Sequence, residues 1–156
     1  MAVIIEDSRQ KPDKNAHIKA QLEQLGHKVV RSKLYVGDYQ YANDGSVVID
    51  TKQDLSEVCS NVVQSHVRFR NECLRAKEAG VQLIVLIVDE SISDLTGVFG
   101  WKNPRRFYSK RATTGRTLGK IMYKMRDEYG VRWEFATRET VGQRLVELLG
   151  GDTNAV

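Results

Sequence analysis

At 156 residues, with 41% hydrophobic and 28% charged side chains, the chain is long enough to bury one core and too rich in apolar residues to be mainly disordered. The formal net charge is only +4, but nine of the 24 Lys and Arg residues and none of the 20 acids fall between Trp101 and Arg126, leaving 15 bases against 20 acids elsewhere; this concentration points to a polyanionic partner. No apolar run approaches the roughly 20 residues needed to cross a bilayer and the start lacks the basic-then-apolar pattern of a secretory signal, so an intracellular protein with no membrane partner is expected, in cytoplasm or nucleoid, or in the nucleus of a eukaryote.

Residues 2–5 (Ala-Val-Ile-Ile) form an apolar strand, followed by a polar turn from Glu6 to Pro12 and a helix from about Asp13 to Leu25 that Gly26 ends. Ile18, Leu22 and Leu25 give this helix one apolar face; Lys28 to Tyr35 then reads as a β-branched strand running into Val36-Gly37-Asp38-Tyr39. Asn43-Asp44-Gly45 is a hairpin turn, and a strand from Ser46 to Lys52 follows. Asp54-Leu55-Ser56-Glu57 has the form of a capping box opening one long helix to about Ala79, with Val58, Val62, Phe69, Cys73 and Ala76 on its buried face. On that helix Cys59 and Cys73 are separated by about 21 Å of rise and cannot pair. With only His17, His27 and His66 and no C-x-x-C, the chain has no structural zinc pattern.

Val81 to Val88 is a nearly unbroken apolar run, the mark of a central strand covered on both faces. A basic loop at about 97–116 follows, long enough to suggest function rather than simple linkage. Then come a helix from Thr117 to Tyr129, a strand from Val131 to Ala136, an amphipathic helix from Arg138 to Leu149, and a frayed tail at 151–156. Leu118, Ile121, Met122 and Met125 fit either a core stripe or a dimer face. No repeat or linker divides residues 1–150, and the class is α/β, a mixed sheet flanked by helices.

The chemistry concentrates around the hairpin. With a three-residue loop whose last residue, Gly45, is left-handed, Ala42 faces Ser46; counting outward, position 38 lies opposite position 50. Asp38 and Asp50 then share a sheet face, with Lys52 two residues along it. Opposed like charges destabilise a sheet unless a cation sits between them, and magnesium suits one or two carboxylates plus substrate phosphate. Each residue alone also fits a solvated strand end; the three together favour a site that activates water against a phosphodiester.

Gly37-Asp38, then Asp50-Thr51-Lys52, then a helix carrying Arg68, resembles the XPF-type branch of the PD-(D/E)XK nuclease superfamily over roughly Val3 to Glu90. The family's opening D-x-R-E is similar to Asp7-Ser8-Arg9-Gln10. The resemblance implies a restriction-endonuclease-like mixed central sheet and an Mg2+ (or Mn2+) ion approached by Asp7, Asp38, Asp50 and the Thr51 backbone carbonyl. In the same reading Lys52 assists the water, and Arg68 holds the scissile strand or orders the site. It also implies DNA with branches or single-strand/double-strand junctions as partner, a homodimer or protein partner, and a stand-alone domain without the family's helix-hairpin-helix module. Three departures stand out: Asp50-Thr51 replaces E-R, Gln10 replaces an acid, and Asp54 follows the lysine two residues early and reads as a helix cap.

Outside this constellation, Arg9, Arg70, Lys102, Arg105, Arg106, Lys110, Arg111, Arg116 and Lys120 are the expected DNA contacts, with Trp101, Phe107 and Tyr108 interleaved where unpaired bases could stack. Asp89 and Glu90 are secondary candidates, His66 is a surface histidine, and Tyr39 alternates to the opposite strand face and packs. Three readings follow: a metal-dependent DNA endonuclease, a catalytically weak DNA-binding or scaffold module of the same fold, and a Holliday-junction-resolvase-like nuclease.

Overall fold

The structure, a computed structural model, describes residues 2–150, so the tail expected at 151–156 lies outside the described residues. Six strands, β1 (Val3–Asp7), β2 (Lys28–Ser32), β3 (Tyr39–Tyr41), β4 (Asp44–Lys52), β5 (Gln82–Val88) and β6 (Arg132–Ala136), form one sheet in the order β2-β1-β3-β4-β5-β6. β3 runs antiparallel to both its neighbours, and the other pairs are parallel. The expected mixed α/β sheet is therefore present.

Alternation along β5 explains its unbroken apolar run. Ile84 and Leu86 face one core, shared with α1 (Ala16–Gln24) and α5 (Val141–Leu148). Leu83, Val85 and Ile87 face the other, shared with α2 (Leu55–Cys59), α3 (His66–Glu78) and α4 (Gly115–Tyr129). A strand buried on both faces has no polar side to show in its sequence. Leu118, Met122 and Met125 of α4 lie in this second core, which settles the stripe as internal packing. No helix among the described residues is long and apolar enough to cross a membrane.

The hairpin differs from expectation. Its turn is Ala42-Asn43, Tyr41 pairs with Asp44, and Gly45 is absent from the glycines with positive φ. The Asp44 carboxylate accepts from the Ser46 N–H (3.0 Å), diverting that donor from the ladder, and the register shifts between Tyr41 and Tyr39. The shift restores the expected frame: Tyr39 pairs with Ile49, as the count from Ala42 and Ser46 assigns it.

The long helix expected from Asp54 to Ala79 is interrupted. After α2 comes a wide π-turn at Ser60–Gln64, closed by Ser65 N–H donating to Ser60 O (3.0 Å), and α3 starts anew at His66. The seven-position spacing from Val62 to Phe69 is that of two turns of an unbroken helix, so apolar spacing carries no mark of the break. β2 stops at Ser32, short of the expected Tyr35, and the basic loop holds two short 3-10 turns, Thr96–Gly100 and Pro104–Phe107.

Gly37 sets the entry to β3. Its φ is +74°, and a Cβ there would lie 2.2 Å from Val48 Cγ1 and 3.1 Å from Ile49 O. Gly26 has φ +87° but open space around it. We expect Gly26→Ala to cost roughly 1–2 kcal/mol, the left-handed penalty alone. Gly37→Ala is expected to cost at least about twice that through added overpacking; equal midpoint shifts in urea unfolding would contradict the steric account.

Candidate active site

Asp50 and Lys52 end β4 on one side of the strand, two residues apart, and Asp38 stands just before β3. The Asp38 N–H donates to Ile49 O (2.8 Å), while Asp38 O accepts from the Asp7 N–H (2.7 Å). Asp38 is thereby tied to both neighbouring strands. The pairing of Glu6 with Tyr39 carries β1 to the same level and brings Asp7 there. Asp7, Asp38, Asp50 and Lys52 are all buried, at 3%, 3%, 5% and 9% exposure, yet line one cavity of about 410 Å3.

The carboxylates are served unequally. Asp38 Oδ2 accepts from the Thr51 backbone N–H and hydroxyl, both at 2.9 Å, and its Oδ1 accepts from Gln10 Nε2 at 2.6 Å. Asp7 accepts from the Leu34 N–H (3.0 Å) and pairs with Arg9 (3.0 Å). Asp50 Oδ2 is buried without a hydrogen-bond donor. Lys52 Nζ stands 3.1 Å from that oxygen, close enough for an ion pair but off the direction of a hydrogen bond. The ammonium instead donates to Asn61 Oδ1 (2.8 Å), with Glu57 at 4.0 Å and the Phe69 ring 5.9 Å below it.

Burial, and then the charge of Asp38, hold the Asp50 carboxyl well above the usual carboxylate range, with Lys52 pulling the other way. Burial works against the charge on Lys52, but Asp50, Glu57 and Asp38 outweigh it and raise its pKa. Lys52 is therefore a fixed cation at neutral pH, suited to neutralising charge or orienting water rather than to accepting a proton. Burial also raises Glu72, and burial followed by the Glu72 and Asp50 charges pushes the Cys73 thiol up to about 12, leaving it inert.

Arg9 and Arg68 also line the cavity; Arg70, two residues on and therefore on the other side of the helix, is exposed and does not. Thr51 is present as an Asp38 donor. The basic-segment residues Lys102, Arg105, Arg106, Lys110, Arg111, Arg116 and Lys120 are exposed and lie outside this cavity. Asp89 caps its own loop through the Ile92 N–H (2.7 Å), and Glu90 accepts from the Arg138 N–H (3.1 Å). His66 is exposed, and Tyr39 is wholly buried on the opposite face, donating to Glu6 (2.6 Å).

Sequence reasoning missed Asn61, Glu72, Lys14 and Arg75 as cavity residues. Asn61 is placed by the π-turn, for which the sequence carries no spacing signal. Glu57 was legible only as a cap partner; it does accept from the Gln53 N–H (3.2 Å), but it also faces Lys14 at 3.7 Å. Among the described residues no group of three or more His, Cys, Asp or Glu side chains is gathered to enclose a metal ion by itself. The carboxylates that face the cavity floor side by side are Asp50, with its undonated oxygen, and Asp38.

No protein-family model and no curated protein matches the sequence. Among solved structures the chain is similar to XPF from Aeropyrum pernix, at 18% identity and a TM-score of 0.67 over 94% of this chain and 63% of that one. It is similarly like XPF from Aeropyrum pernix in complex with DNA, at 18% identity and a TM-score of 0.68 over 96% of this chain and 64% of that one. The chain thus spans a little under two thirds of those structures' length. The likeness shows the fold, an XPF-like α/β fold, in agreement with the resemblance read from the motifs.

The raised pKa of Asp50 has a consequence for stability. The folded state holds that proton more tightly than the unfolded chain, so the stability it contributes is complete below the ordinary value of 3.8 and is lost as pH rises through the folded pKa. Asp50→Asn cannot ionise. We expect the metal-free variant to match wild type near pH 4 and to exceed it increasingly towards pH 8. The expected gain is on the order of 1 kcal/mol, or about 2–4 °C in thermal unfolding; a variant less stable than wild type at pH 8 would refute the assignment.

Proposed function

We propose that the chain hydrolyses phosphodiester bonds in DNA as a metal-dependent endonuclease acting on branched, flapped or otherwise structured DNA. The observation that carries this reading is the Asp50 oxygen, buried without a donor, beside Asp38 and a fixed Lys52 ammonium on the floor of an open cavity. A buried anion left short of donors is costly in a purely structural role. The donor set, two carboxylates with room for water and phosphate, fits magnesium or manganese, which take oxygen ligands and retain waters. Such a cation supplies a lowered pKa for the attacking water and positive charge against the phosphoryl oxygens. The DNA complex among the similar structures also supports DNA as the ligand.

The chain's own groups would divide the remaining work. Asp38, steadied by Thr51 and Gln10, and Asp50 hold the cation side; Asp7, occupied by Arg9, shapes the rim and the 32–36 connection. Lys52, kept charged and aimed by Asn61, holds the attacking water or the developing phosphate charge. Arg68 and Arg75 line the same cavity, where a guanidinium is matched to phosphate oxygens.

One observation favours a second reading, a catalytically weak DNA-binding or scaffold module. Gln10 replaces a family acid and donates to Asp38 at 2.6 Å, so both Asp38 oxygens already have protein donors. Labelled single-stranded, duplex, flap, fork and four-way DNA, incubated with magnesium, manganese or chelator and resolved on denaturing gels, decides between them. We expect metal-dependent cutting, best on flap or fork DNA, with Lys52→Ala lowering the rate about 10²–10³-fold and Asp50→Ala abolishing it. Preferential cutting of four-way DNA would move the chain to the resolvase-like class, and binding without cutting under every metal would establish the scaffold reading.

In the same assay we expect Asn61→Ala to lower kcat roughly tenfold with a smaller change in KM, because it loosens Lys52 while leaving the Arg68 and Arg75 guanidinium groups in place. Asn61→Gln is expected to recover part of the loss; an unchanged kcat would remove Asn61 from the site.

A further inference from the structure

The Lys52 ammonium has one firm partner and two loose ones. It donates to Asn61 Oδ1 (2.8 Å), stands 3.1 Å from Asp50 Oδ2 off the direction of a hydrogen bond, and lies 4.0 Å from Glu57 Oε1. An ammonium carries three N–H groups, so two can change partner while Asn61 keeps the third. All four side chains line the carboxylate cavity.

Glu57 is fixed in place with one oxygen to spare. At the cap that opens α2, Asp54 accepts from the Glu57 N–H (2.8 Å), and Glu57 Oε2 accepts from the Gln53 N–H (3.2 Å). Glu57 Oε1 stands 3.7 Å from Lys14 Nζ and 4.0 Å from Lys52 Nζ, so neither ammonium reaches it as a hydrogen-bond donor. The other carboxylates of the floor are committed: Asp38 and Asp7 each have protein donors on both oxygens. Among the described residues, Asp50 and Glu57 are the only carboxylates within 4.0 Å of Lys52 Nζ. A cation that comes to the undonated Asp50 oxygen meets the Lys52 ammonium 3.1 Å from the same atom, and positive charges that close repel strongly in a buried site. Lys52 therefore needs a second carboxylate nearby, and Glu57 is the one with an oxygen free.

We propose that Glu57 is a positioning residue that receives Lys52 when a metal cation takes the Asp50 oxygen. The ammonium pivots on Asn61 and moves about 1 Å towards Glu57 Oε1, into the range of a charge-assisted hydrogen bond. Asp50 is released for the cation, and the site keeps the Lys52 charge. This rests on the metal-dependent reading above and adds to it a carboxylate that touches neither the cation nor the phosphate and acts through the lysine.

The test is the Mn2+ affinity of the full chain without DNA, read from the electron paramagnetic resonance signal of free Mn2+, in a double-mutant cycle over Glu57→Gln and Lys52→Met. Glutamine keeps the size and the cap acceptor of Glu57 and removes only its charge, so thermal unfolding in chelator is expected to be unchanged. Glu57→Gln is expected to weaken Mn2+ binding about tenfold, because Lys52 then stays on Asp50 and competes with the cation. With Lys52→Met in place no ammonium needs a second partner, and the same change is expected to weaken binding about threefold at most. Lys52→Gln closes the cycle a second time in a background with a polar tip. An affinity unmoved by Glu57→Gln, or an equal tenfold loss with and without Lys52, overturns this inference alone; the second result makes Glu57 a direct attractor of the cation. A wild-type chain that binds no Mn2+ overturns the metal-dependent reading, and this inference with it.

Discussion

The structure turns on the burial of the Asp38 and Asp50 carboxylates side by side, with one lysine as the near cation. Removing a charge from water costs several kcal/mol even after relaxation, and hydrogen bonds to a charged group return roughly 1.5–3 kcal/mol each. Asp38, with Thr51 donating twice and Gln10 once, has its charge supported on that scale. Asp50 has the off-line Lys52 contact and an oxygen with no donor, so its deficit stays open. That imbalance leaves the cavity floor short of positive charge, which is why burial and Asp38 hold the Asp50 carboxyl proton so firmly.

Much of the surrounding architecture holds this imbalance in place. On the opposite face of the sheet Glu6 accepts from Tyr39 and pairs with Arg31 (2.7 Å), and Arg31 reaches on to the Ser8 and Gln10 carbonyls. This network fixes the segment that presents Gln10 to Asp38. Asn15 Nδ2 lies 3.4 Å from the Thr51 hydroxyl that serves the same carboxylate. On the helical face, the π-turn widens the chain so that Asn61 meets Lys52, a use for which such turns are common at functional sites.

The molecule carries two surfaces of different character. The carboxylate cavity is lined by buried polar side chains, while the basic segment is exposed and carries aromatic rings. α2 and the π-turn border both, lining the carboxylate cavity through Glu57 and Asn61 and a second concavity against Arg105 and Arg111. Gln10 is the residue that separates the two proposed functions, because its amide occupies an Asp38 oxygen where the family pattern has an acid nearby.

Local rules made much of this legible in the sequence. Strand alternation alone puts Asp50 and Lys52 on one side of β4, the unbroken apolar run of β5 marks a doubly covered strand, and the Gly37-Asp38 and Asp50-Thr51-Lys52 motifs carried the resemblance whose fold the structure has. The hairpin count assigned Tyr39 to Ile49 even though the turn itself was misplaced, because the Asp44 side chain shifted the register at the tip and the strand recovered it below. Only tertiary structure decided that Asp7 stands beside Asp38, that Gln10 and Asn61 reach the charged groups, and that the π-turn and the basic segment wall a common concavity. Period and propensity act over a few residues. These contacts join residues 9 to 31 positions apart, or different cavity walls, and are fixed by strand order and by a helix break that leaves the apolar spacing unchanged.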